Sequence, residues 1–80
     1  MQNFKQYKEF MKFSFDDKLD ISNILTSYKR FRKFETNDYS EEVIKFSKQI
    51  IEQDLDTVEN TLNKVNRIIV EENKRIHCKN

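Results

Sequence analysis

Apolar residues in the second half of the chain recur at helical spacing. They fall at Ile51, Leu55, Val58, Leu62, Val65 and Ile69, in steps of 4, 3, 4, 3 and 4. Steps of this kind place every apolar side chain on one stripe of an α-helix, the seam of a coiled coil. Ile44 precedes the stripe and Ile76 follows it. Asp38 or Ser40 can accept hydrogen bonds from the first amides, and Asp38-Tyr39-Ser40-Glu41 fits a capping box. Glu41 and Glu42 then stand at the positive end of the helix dipole, with Lys74, Arg75, His77 and Lys79 at the negative end. The pattern predicts a helix over 41–77. A break near 54–57 is the alternative, because Asp54-Leu55-Asp56-Thr57 has modest helix propensity and Asp56-Thr57-Val58-Glu59 is itself a capping box. The unbroken heptad through Leu55 and Val58 favours the continuous helix.

A second periodic run covers Leu19, Ile21, Ile24, Leu25, Tyr28 and Phe31, preceded by Ser14 with Asp17 three residues on. It predicts a middle helix over about 16–34, capped at Ser14. Residues 35–40 are polar and turn-like, so the two helices should form a hairpin. Near the N-terminus, Phe4, Tyr7 and Phe10 or Met11 suggest a short helix over about 3–12. The alternation Met11-Lys12-Phe13-Ser14-Phe15 is a strand pattern, but a lone strand would have nothing to pair with. The expected class is all-α: a helical hairpin or three-helix domain, residues 1–80, with one long C-terminal helix.

Length turns this pattern into a functional expectation. A helix over 41–77 would run about 55 Å, whereas an 80-residue domain is about 30 Å across. Part of the helix would overhang the core and expose Val65, Ile68, Ile69, Val70 and Ile76, as interface stripes do. The residues expected to bind protein are Leu62, Val65, Ile68, Ile69 and Ile76, the occupant being a larger protein or a second copy of the chain.

Composition removes several classes. Gly and Pro are absent, so phosphate-cradling loops, nucleophile elbows and Asn-Gly hairpins have no residues to build them. A single cysteine, Cys78, excludes an internal disulfide and a four-cysteine zinc site. No long apolar run marks a signal peptide or membrane span, so the expected location is cytoplasmic, with no membrane partner. Fifteen basic against fourteen acidic residues leave a net charge of +1, too little to pull the whole chain toward nucleic acid. Lys, Asn, Ile and Phe dominate while Ala is missing, a bias that fits an AT-rich genome such as that of a low-GC bacterium, its phages or plasmids.

Candidate chemistry is sparse. Glu52, Asp56 and Glu59 would share a face of a continuous helix and could bridge a divalent cation, though solvated carboxylates look the same. His77 and Cys78 are adjacent and diverge by about 100° on a helix, so they cannot hold one metal well. No catalytic residue, cofactor or metal is expected. The segment Tyr28-Lys29-Arg30-Phe31-Arg32-Lys33-Phe34 is different: cations alternate with aromatics, as in proteins that grip phosphates and stack on bases. Tyr28, Lys29, Arg30, Phe31, Arg32 and Lys33 are therefore candidates for nucleic acid or an acidic protein surface. In the plainer reading, Tyr28 and Phe31 continue the core face and the cations are its solvated side.

Ser40-Glu41-Glu42-Val43-Ile44-Lys45-Phe46-Ser47-Lys48-Gln49 resembles the second helix of small helical-hairpin phosphatases of bacterial sporulation. That family's motif reads Ser-Gln-x-Leu-Asp, and Ser47 to Ile51 align with it but lack the functional Asp. The resemblance implies a helical hairpin and carries no activity across. Two functions remain as expectations. The first is a non-enzymatic protein-binding module, an inhibitor or adaptor of a larger complex, with a phage-borne anti-defence or anti-CRISPR role as its most specific form. The second is a small dimeric nucleic-acid-binding regulator using segment 28–34.

Overall fold

The computed structural model describes residues 5–35 and 38–77, and the described residues form helices joined by turns, with no strand. In chain order these are α1 (Tyr7–Met11), α2 (Phe15–Phe31), α3 (Glu41–Ile51) and α4 (Leu55–His77). The all-α class and the long C-terminal helix are as the periodicity predicts. Residues 11–15 form the end of α1 and the cap of α2, not a strand. The helix expected over 3–12 is α1, with its first two residues outside the described ones.

Capping explains where the helices start. The Asp17 amide donates to Ser14 Oγ at 3.1 Å, and the Val43 amide donates to Ser40 Oγ at 3.3 Å. Each serine satisfies an amide that has no partner within its own helix. The end of α2 is less ordinary. It stops at Phe31, three residues before the predicted Phe34, because Arg32 takes a left-handed conformation with φ 57° and ψ 31°. Glycine normally fills that role, and this chain has none. The Arg32 amide donates to the Tyr28 carbonyl at 2.7 Å and its guanidinium to the Lys29 carbonyl at 2.6 Å. This turn leaves Phe31 outside, 63% exposed, while Phe34 packs partly against the core.

The continuous helix over 41–77 is corrected by the structure: it breaks at 52–54 into α3 and α4. The buried positions show why. They are Val43, Phe46, Ser47 and Ile50 in α3, then Val58, Thr61, Leu62 and Val65 in α4. Carried through as one helix, the stripe 43, 47, 50 would reach Asp54 next and drive a carboxylate into the core. Instead Asp54 stands just before α4. Its carbonyl accepts from the Val58 amide at 3.1 Å, and its carboxylate accepts from the Thr57 hydroxyl. The heptad reading is in phase from Val58 onward but not before it: Ile44 and Ile51 are half-buried and Leu55 is exposed.

α2 packs against both other long elements, which also touch each other, and runs antiparallel to α4. Lys18 pairs with Glu72, Ser22 with Asn66 and Lys29 with Glu59, so one number climbs as the other falls. The core is Ile21, Ile24 and Leu25 of α2 against Val43, Phe46 and Ile50 of α3 and Val58, Leu62 and Val65 of α4. Phe10 joins α1 to it, its ring 5.9 Å from that of Phe46, and Phe13 meets Phe46 edge-on at 5.3 Å. The domain has a radius of gyration of 12.5 Å.

Ser47 sits at the centre of α3's packed face with no exposure, and its Oγ has no hydrogen-bond partner among the described residues. A buried hydroxyl without a partner keeps its desolvation cost, and serine is a poorer helix former than alanine. Ser47→Ala is expected to stabilise the domain by about 1 kcal/mol, read as a rise of roughly 4–8 °C in the thermal midpoint.

Candidate functional site

Two regions carry exposed apolar side chains in a polar setting, one at each end of the antiparallel α2–α4 pair. The first is the seam between α1 and the last turns of α4. Tyr7 and Met11 project from α1 beside Arg67, Ile68, Glu71, Glu72 and Arg75 of α4, lining an open groove of about 210 Å³. Tyr7, Met11, Val70 and Ile76 are all exposed. Ile76 is the telling one: it lies eleven residues after Val65, three helical turns on, in phase with the core stripe, yet it is 49% exposed. It therefore extends the core face past the body that should cover it.

The expected protein-binding residues divide on this geometry. Leu62 and Val65 are sealed in the core and present no surface, since the break at 52–54 folds α4 back along α2. Ile68 and Ile69 are half-buried against the core, and Ile76 alone of the five is open. The overhang is thus one or two turns, not the long stripe that a 37-residue helix would leave.

What holds these turns is polar, and sequence reasoning missed it. Lys18 is only 4% exposed, and its Nζ donates to both carboxylate oxygens of Glu72 at 2.9 and 3.0 Å. The same ammonium stands 5.8 Å from the centre of the Phe10 ring, so one cation ties together α1, α2 and α4. One turn along, Ser22 Oγ donates to Asn66 Oδ1 at 2.6 Å. The signal was present in the numbering: Lys18 precedes Ile21 and Leu25 at steps of 3 and 4, and Glu72 follows Val58 and Val65 at steps of 7. Leu19, which the periodicity placed in the core, is instead on the exposed side. Nearby, Asp20 has its carboxyl raised above the ordinary value, first by burial and then by the charges of Asp17 and Asp16. Its ionised form therefore costs the fold some stability at neutral pH, a cost that lifts as pH falls through the raised value.

The second region is the C-terminal end of α2. Tyr28 packs partly against the core as expected, but Phe31 does not continue that face into cover. Lys29, Arg30, Arg32 and Lys33 are all exposed around it. Two of these cations already have work in the fold: Lys29 Nζ lies 3.2 Å from Glu59, and Arg32 caps α2. Across from them, the start of α4 carries Asp56 and Glu59, with Glu52 and Asp54 just before it. Carboxylates at that end oppose a phosphate backbone laid across it.

The carboxylates weighed as a cation site are not brought together. The break separates Glu52 from Asp56 and Glu59, so the shared helix face does not exist. Among the described residues, no group of three or more His, Cys, Asp and Glu side chains stands close enough to hold a metal ion. His77 is exposed at the end of α4, and Cys78 and Lys79 lie outside the described residues. No described helix is long and apolar enough to cross a membrane. The segment that resembles the sporulation phosphatases is α3. No family model matches the chain, and no curated protein or solved structure does either.

Proposed function

We propose that this chain is a non-enzymatic protein-binding module, an inhibitor or adaptor that docks on a larger protein through the α1–α4 seam. The observation that carries this reading is Ile76, a core-phase residue left half open beside exposed Val70, Tyr7 and Met11. Aromatic residues, methionine and arginine are enriched in protein interfaces, and this seam holds all three classes. The near-neutral net charge suits a protein partner better than a polyanion. Of the forms such a module takes, an inhibitor carried by a phage or mobile element, directed at a host defence complex, fits the AT-rich composition. A homodimer through the same seam is the other form.

Val70→Ser with Ile76→Ser tests it. Both side chains are exposed, so the thermal stability of the double variant should stay within about 0.5 kcal/mol of the parent. Co-purification from the native host should lose its protein partner, and sedimentation should show a lighter species if the seam pairs two copies. An unchanged partner set and an unchanged mass would place the interface elsewhere.

A second reading draws on exposed Phe31 within its four cations. It makes the end of α2 a contact for single-stranded nucleic acid, with Phe31 stacking on a base. It predicts binding that weakens steeply with salt and disappears in Arg30→Glu with Lys33→Glu. Lys29 and Arg32, already engaged within the fold, would contribute less.

A further inference from the structure

We propose that the last turns of α4, from Asn66 to His77, are a latched arm that opens as a unit while the rest of the domain stays folded, and that the Lys18–Glu72 ion pair is the latch. The core supplies the first observation. Every fully buried residue of α4 lies at or before Val65, and from Asn66 onward none is buried. The second is the kind of contact that remains. The arm meets α2 through Ser22–Asn66 and Lys18–Glu72, with only Ile68 and Ile69 half-buried beside them.

A buried ion pair differs from an apolar contact in how it gives way. Its two charges attract strongly only while water is excluded, and each regains a large hydration energy once water enters. The pair therefore holds the closed arm in one register but rewards opening more than leucines would. The groove along the α1–α4 seam brings water to within reach of Glu72, which is among its lining residues. Lys18 also carries the Phe10 contact, so release of Glu72 loosens the grip of α1 on the same seam. Opening would present Ile68, Ile69 and Ile76 together, a larger apolar surface than the closed form shows.

This inference rests on the seam reading for what the opened arm would meet, but its test needs no partner. Amide hydrogen exchange of the full chain separates the segments directly. Residues 68–76 are expected to exchange at a common rate at least about 10-fold faster than 59–65, the signature of a sub-global opening. Glu72→Gln should speed 68–76 by roughly a further 10-fold and 59–65 by a similar factor, because global unfolding breaks the pair as well, so the gap between the two segments is kept. Lys18→Met with Glu72→Leu, which replaces the charges with apolar bulk, should slow 68–76 below the parent rate. One common rate for both segments in the parent, or no change in 68–76 with Glu72→Gln, would overturn the proposal. So would a smooth gradient toward His77 that ignores Glu72, which is ordinary end fraying.

Discussion

Phe46→Ala is expected to cost about 3–5 kcal/mol, the largest loss of any single truncation in this domain. Phe46 is almost wholly buried and is the ring against which Phe10 and Phe13 both pack. Its removal deletes the contact that joins α1 and the α1–α2 turn to α3. Domains of this size are stable by only about 4–12 kcal/mol in total, so the loss removes about a quarter or more of it. Phe46→Leu keeps most of the apolar volume and should lose about 1–1.5 kcal/mol. Urea denaturation followed by circular dichroism measures both. Equal stability of the parent and the alanine variant would mean that the aromatic cluster is not the joint described above.

The Lys18–Glu72 pair should behave in the opposite way to a hydrophobic contact. Lys18→Met leaves Glu72 without its partner, and Glu72→Leu strands an ammonium that is almost fully buried. Each single change is expected to destabilise, by about 2–4 kcal/mol for Glu72→Leu, at or just below the range for breaking a buried pair because Glu72 is a fifth exposed. The double variant should be within about 1 kcal/mol of the parent or more stable than it. The coupling read from such a cycle is therefore large and favourable, although the pair as a whole adds little stability. If the arm opens locally, the loss in global stability from Glu72→Leu is capped at the opening free energy. A loss near the lower end of that range, accompanied by fast exchange in 68–76, is then the expected pattern.

Much of this fold could be read from the chain alone, and the exceptions have physical causes. Ser14 and Ser40 act as the caps their positions suggest, because a serine followed by acidic residues before an apolar run satisfies orphan amides in almost any context. Val58, Leu62 and Val65 are core because α4 is long enough for its period to be unmistakable. The break at 52–54 was harder to see, because two phases compete there. One runs through Ile51 and Leu55 as a perfect heptad, the other through Val43, Ser47 and Ile50 toward Asp54. Tertiary packing chose the second, since only a bend lets α3 and α4 both lie on α2. Periodicity among apolar residues also has no means of finding a buried lysine, so Lys18 and Glu72 stayed hidden although both are in phase. The candidate surface shrank for the same reason the helix broke. Leu62 and Val65 went into the core, and Ile76 remained as what the sequence had promised of an overhang.

Site-specific photocrosslinking in the native host tests most directly whether the chain meets a protein through the α1–α4 seam. A photoreactive residue placed at position 76, at position 31 or at position 60 samples the seam, the basic end of α2 and the exposed back of α4. The expected result is a discrete protein adduct from position 76 and none from position 60. An adduct from position 31 alone, whether to protein or to nucleic acid, would contradict the claim and move the functional surface to the basic end of α2.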